Sequence, residues 1–268
     1  MMLPAASDDG AVLVTGASSG IGDELARDFV RRGRTVILVA RRAEKLQALA
    51  DALGSSAHVL PTDLSSAEDR AALPRRVADL GLVVDVLVNN AGLSTSGPVA
   101  ESDPEAELNL VEVDVCAVVD LCSRFVPGMV SRGRGAVLNV ASVGAFGPLP
   151  GQAAYGAAKA FVLSYTQALG QELHGTGVTS ATLCPGPVKT GFGAAAGISD
   201  ADAEASLPKV MWVDAAEVAR TAIDGLDAGR TVIVPGVFNR IGAAAYKALP
   251  RKLLLPILAR SHPSLKKR

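Results

Sequence analysis

Seven short apolar runs, separated by longer stretches of helical periodicity, recur from the start of the chain to about residue 235, and this rhythm excludes most folds. The runs cover residues 11–15, 35–40, 57–61, 84–89, 136–141, 178–184 and 231–235. Most are continuously apolar rather than alternating, as in parallel strands buried on both faces. Helices are expected between them, starting near Gly20, Arg42, Ser66, Pro104, Ala153 and Asp214. Asp103 and Pro104 suit an N-cap and first helical position; Asp214 suits a cap for a helix stopping near Gly229. The helix from Pro104 should end or kink at Pro127, where the backbone N–H is missing. Such alternation predicts an α/β fold: a Rossmann-like doubly wound parallel sheet of about seven strands with helices on both faces. Residues 1–235 would form one dinucleotide-binding and catalytic domain, and 236–268 a basic, apolar helical extension.

Composition narrows the function classes. A net charge of -1 gives no electrostatic reason to bind nucleic acid. Cys116, Cys122 and Cys184 lack metal or disulfide spacing, and the first ten residues lack a basic region followed by an apolar run, so a cytoplasmic setting is expected. No metal site is expected, since His58, His174 and His262 are scattered. Residues 135–158 are uncharged over a length that could span a bilayer, yet their prolines, glycines, Asn139 and Gln152 fit a strand, loop and helix start instead.

The first run leads directly into Gly16, Ala17, Ser18, Ser19, Gly20, Ile21 and Gly22, and then into an amphipathic segment. Glycine lets a pyrophosphate approach backbone N–H groups, and a helix N-terminus adds donors and partial positive charge. Ser18 and Ser19 are expected to face phosphate, since no histidine base is implied beside them. The second run ends in Ala40, Arg41 and Arg42, with no carboxylate in reach. A carboxylate there would bind a ribose 2′-hydroxyl, whereas the Arg41 guanidinium suits a 2′-phosphate, so NADP is expected rather than NAD.

Tyr155 and Lys159 lie four apart in a helical segment, hence on one face. A free phenol has a pKa of about 10, and an adjacent ammonium favours its ionised form. Ser142 follows the fifth run, where the crevices of open sheets lie, and its hydroxyl can polarise a carbonyl oxygen.

Together these stretches resemble the single-domain (classical) branch of the short-chain dehydrogenase/reductase family over roughly residues 10 to 235. The likeness rests on TGASSGIG (15–22), Asp63 in TDL, NNAG (89–92), Ser142 thirteen residues before Tyr155, Lys159, and PGPVKT (185–190). The resemblance implies that Asp63 meets the adenine, that Leu64 belongs to the cofactor site, and that Asn89, Asn90, Ala91 and Gly92 support the sheet and lie along the cofactor. Pro185, Gly186, Val188 and Thr190 would hold the nicotinamide carboxamide. Tyr155 would be the general acid, Lys159 would bind the nicotinamide ribose, and Ser142 would orient the substrate. The family commonly places an asparagine in the long helix before the fifth strand; here Asp114 stands in its place and is expected to hold the proton-relay water. A homodimer or homotetramer through the helices starting near Pro104 and Ala153 is also implied.

The partner would be a small carbonyl or alcohol compound, lipophilic if Phe146, Phe192 and the lid expected at 191–213 line its site. The tail permits two readings, a packed helix pair or a peripheral membrane contact. An idle NADP-binding sensor on the same fold is the alternative from another class, and epimerase or dehydratase chemistry a third.

Overall fold

The computed structural model describes residues 3–195, 208–261 and 265. Seven strands form one parallel sheet: β1 (Gly10–Thr15), β2 (Thr35–Ala40), β3 (Ala57–Pro61), β4 (Val83–Asn89), β5 (Gly135–Val140), β6 (Val178–Leu183) and β7 (Val232–Ile233). Their order, β3-β2-β1-β4-β5-β6-β7, winds outward in both directions from β1 and β4. Neighbouring helices therefore leave the C-terminal strand ends in opposite directions there, opening the crevice in which doubly wound folds bind ligands. β7 keeps only two residues of the five-residue run, although Thr231 and Ile233 carbonyls still accept bonds from Thr182 and Cys184. Pro235 cannot donate a ladder bond and Gly236 has φ +81°, so the chain leaves the sheet early.

Each face of the sheet carries its own apolar layer. On one, α1 (Gly20–Arg31), α2 (Ala43–Leu53) and α8 (Ala215–Asp227) bury Leu25, Phe29, Leu46 and Ile223 against Val12, Val14, Leu38 and Leu138. On the other, α3 (Ala67–Ala78), α5 (Ala117–Ser131) and α6 (Ala153–Glu172) bury Leu73, Leu121, Met129 and Val162 against Leu13, Ile37, Leu87 and Val137. Side chains of odd and even number on one strand point to opposite layers, which is why continuous apolar runs were needed.

The element before β5 differs from expectation. A helix α4 (Pro104–Val111), capped by Asp103, passes through one π turn (Glu112–Cys116) into α5, which does not end at Pro127 but runs to Ser131. Phe125 and Met129, buried on either side of the proline, hold the segment to the sheet despite the missing backbone bond. The stretch 135–158 is β5, a 3₁₀ turn (Val143–Phe146) and the start of α6. No helix among the described residues is long and apolar enough to cross a membrane. A short helix α7 (Phe192–Ala195) follows β6, and residues 196–207 of the expected lid lie outside the described residues. The tail folds as α9 (Val237–Ala248) and α10 (Arg251–Ser261).

Candidate active site

A cleft of about 950 Å³ opens at the C-terminal ends of the strands, at the upper end of the range for small-molecule sites. Gly16, Ser18, Ser19, Gly20 and Ile21 form one end, with Arg41, Asp63 and Leu64 beside them. Asn90, Ala91 and Gly92 line the middle; Ser142, Tyr155, Lys159, Pro185, Gly186, Val188 and Thr190 surround the far end. Of the residues singled out from sequence for the site, Gly22, Asn89, Asp114 and Phe146 do not line it.

The glycine-rich turn has the shape that phosphate binding requires. Gly16 and Gly20 have φ of +66° and +61°, and a Cβ on Gly22 would lie 2.4 Å from the Gly16 carbonyl oxygen. Ser19 caps α1 without a side-chain bond to it, so the first N–H groups of the helix face the cleft uncapped by that residue. The turn is tied to β4 by Thr15, whose Oγ1 accepts from the N–H groups of Asn90 (2.9 Å) and Ala91 (3.0 Å). These backbone donors, and a cradle that side chains would fill, fit the pyrophosphate of a dinucleotide. Arg42 adds a feature missed in the sequence: its guanidinium donates to Ser18 Oγ (2.8 Å) and Ser19 Oγ (3.0 Å), spanning the phosphate turn. Lys45 lines the same end. Only its adjacency to Arg41 could have pointed to Arg42. Burial pushes Asp63 up, but the Ser65 amide and hydroxyl and nearby Arg41 hold it below its ordinary range.

Asn89 turns inward. Its Nδ2 donates to Asn139 Oδ1 (2.8 Å), and Asn139 Nδ2 donates to Thr166 Oγ1 (2.9 Å), joining β4, β5 and α6 through the interior. Asn89 thus supports the sheet, as expected, but is not a cleft residue; the even pleat of the strand places it away from Asn90.

At the far end, Ser142 caps the 3₁₀ turn, its Oγ accepting from Gly144 N–H at 3.1 Å, and its hydroxyl stands close enough to Tyr155 to favour the ionised phenol. Lys159 Nζ lies 5.8 Å from the Tyr155 ring and donates to the Val140 carbonyl (3.1 Å). Asp114, fully buried in the π turn, pairs with Lys159 at 3.0 Å and accepts from Leu93 N–H at 2.6 Å. Burial lowers the proton affinity of Lys159, but the Asp114 carboxylate reverses this and holds the ammonium above its ordinary range. Burial likewise pushes Tyr155 up; Lys159 and the Ser142 hydroxyl oppose it, and burial prevails. The expected direction of the lysine's effect is present, but it does not by itself make this phenol acidic.

Apart from Gln152, the remaining wall at this end is apolar: Leu149, Phe192, Met211 and Trp212, closed by Tyr246 of α9 and Leu258 of α10. Phe192 stands 5.9 Å from the Tyr155 ring, whereas Phe146 is packed against the interior layer rather than lining the cleft. Nothing in the sequence marked Tyr246 or Leu258, since their place over the site depends on how the tail folds back.

A dinucleotide crevice holding a phenol, an ammonium and a hydroxyl at one end defines a dehydrogenase. A family model described as short chain dehydrogenase matches residues 10–200. An NADP-dependent 3-hydroxy acid dehydrogenase of Salmonella typhi is 38% identical over 181 residues, 66% of this chain and 72% of its own. A serine 3-dehydrogenase of Rhizobium radiobacter is 36% identical over 188 residues, 68% of this chain and 74% of its own. A short-chain dehydrogenase from Sphingobium yanoikuyae, solved in complex with NADPH, has a TM-score of 0.77 at 33% identity, covering 92% of this chain and 95% of that one. The chain belongs to the short-chain dehydrogenase family.

Proposed function

We propose that this enzyme interconverts a ketone or aldehyde and an alcohol with NADP(H), acting on a substrate with an apolar body. The observation that carries the chemistry is the grouping of Ser142, Tyr155 and Lys159 at the end of the cleft. NADPH, when bound, supplies the hydride. Ser142 and Tyr155 hold the carbonyl oxygen, Tyr155 Oη gives it the proton, and Lys159 stabilises the phenolate left behind. Arg41, Arg42 and Lys45 supply the positive charge for the 2′-phosphate, and the Gly16–Gly22 turn the donors for the pyrophosphate. Leu149, Phe192, Met211, Trp212, Tyr246 and Leu258 favour a bulky apolar substituent. The active unit is a homo-oligomer, for which exposed Leu108 and Val111 on α4, Val130 on α5 and Phe161 on α6 offer apolar contacts.

The test is a panel of bulky ketones assayed with NADPH and NADH. Tyr155→Phe should lower kcat by about 10²–10⁴ while retaining NADPH binding measured by fluorescence. Arg42→Ala should raise KM for NADPH far more than for NADH. Wild-type preference for NADH would refute the cofactor assignment, and full turnover by Tyr155→Phe would refute the mechanism.

A further inference from the structure

The tail carries a separate anomaly. Of 26 Lys and Arg and 27 Asp and Glu in the chain, eight of the former and none of the latter lie in residues 236–268, leaving a body of -9 and a tail of +8. On α9, Asn239, Ala243 and Tyr246 turn toward the enzyme: Asn239 donates to the carbonyls of Pro235 and Met211, Ala243 is buried, and Tyr246 lines the cleft. At 100° per residue, Val237, Phe238, Arg240 and Ile241 fall on the opposite face. Val237 is 57% exposed, Phe238 53% and Ile241 60%; Leu249, at the corner before α10, is 45% exposed. Exposed Arg251 and Lys252 follow at that corner. Among the described residues of α9 and its corner with α10, the solvent-facing side is therefore apolar and its exposed charges, Arg240, Arg251 and Lys252, are all basic, the reverse of an ordinary surface helix.

We infer that α9 and the α9–α10 corner form a docking surface for an anionic lipid bilayer. Apolar side chains with basic flanks match an interface in which the apolar groups enter the headgroup boundary and the cations meet lipid phosphates. The sign of the charge selects this occupant. The exposed apolar residues of α4 have Glu101, Glu105 and Glu107 around them, which suits another protein surface and opposes anionic lipid, whereas the tail presents no acid at all. Docking there would set against the membrane the same two helices that wall the cleft through Tyr246 and Leu258. An apolar substrate could then pass from lipid to site along that wall.

Sedimentation of the full chain with vesicles tests this. The protein should pellet with phosphatidylglycerol vesicles at low salt, and neither with phosphatidylcholine vesicles nor at high salt. Arg240→Glu/Arg251→Glu/Lys252→Glu should weaken partitioning roughly a hundredfold, and Phe238→Ser/Ile241→Ser should weaken it by about tenfold or more. Both variants should keep wild-type turnover of a water-soluble ketone, which establishes that they fold. Absence of wild-type partitioning, or partitioning unchanged in both variants, would overturn the inference. So would light scattering that shows these variants dissociating a wild-type oligomer, since a second copy would then own the surface.

Discussion

Asp114 makes the site of this enzyme differ from the pattern its sequence resembles. An asparagine there could hold a water but could not pair with Lys159; the aspartate, fully buried and 3.0 Å from the ammonium, does. A buried pair of this kind is costly to break, because the survivor remains charged away from water. The carboxylate raises the proton affinity of Lys159, and its charge also raises that of Tyr155. Asp114→Asn should remove both effects, so that lysine and phenol each lose a proton at lower pH. In the proposed mechanism, reduction of a ketone needs both protonated. The alkaline limb of kcat should therefore move to lower pH, as read from a pH–rate profile of the variant against wild type. An unmoved limb would mean the pair does not control the proton donor. Asp114→Ala also takes away the acceptor of the Leu93 N–H and should lower kcat further than Asp114→Asn does, as steady-state kinetics would show.

At the scale of elements, the glycines divide into those that shape the site and those that let the layers close. Gly22 belongs to the first kind, since α1 can start against the turn only without a side chain there. Gly177, ahead of β6, belongs to the second: it has φ +80°, and a Cβ would lie 2.0 Å from the Gly133 carbonyl oxygen at the turn leading to β5. Gly177→Ala combines a left-handed backbone with a backbone clash and should cost more than about 1 kcal/mol. Urea denaturation should show a lowered midpoint, while kcat of the folded enzyme stays at the wild-type value because the residue is remote from the cleft. The π turn is the other element-scale device. Inserting one residue's worth of slack between α4 and α5 is a common way to re-aim side chains at a functional site, and here it is the turn that buries Asp114 beside Lys159.

For the molecule as a whole, the tail supplies part of the cleft wall through Tyr246 and Leu258. Tyr246 packs close enough to the 3₁₀ turn that a Cβ on Gly147 would sit 2.7 Å from its ring, so α9 is seated directly over the turn that follows Ser142. Tyr246→Ala should open the wall. KM for a bulky aromatic ketone should rise by roughly tenfold, with little change for a small one, and steady-state kinetics on the two substrates would show it. Equal changes for both would indicate general loosening of the site instead. Much of this protein could be read without coordinates. The strand runs, the glycine-rich turn, the Tyr155–Lys159 spacing and the caps at Asp103 and Asp214 are local, and local spacing follows from backbone geometry and steric rules that act over a few residues. The continuous apolar runs further implied a sheet covered on both faces. What remained hidden depended on groups distant in the chain: Arg42 reaching the two serines, Asn89 turning to Asn139, burial outweighing Lys159 at the phenol, and Tyr246 and Leu258 folding back over the site. Packing decided these, because burial and pairing belong to neighbours in space, and periodicity along the chain carries no record of which neighbours those will be.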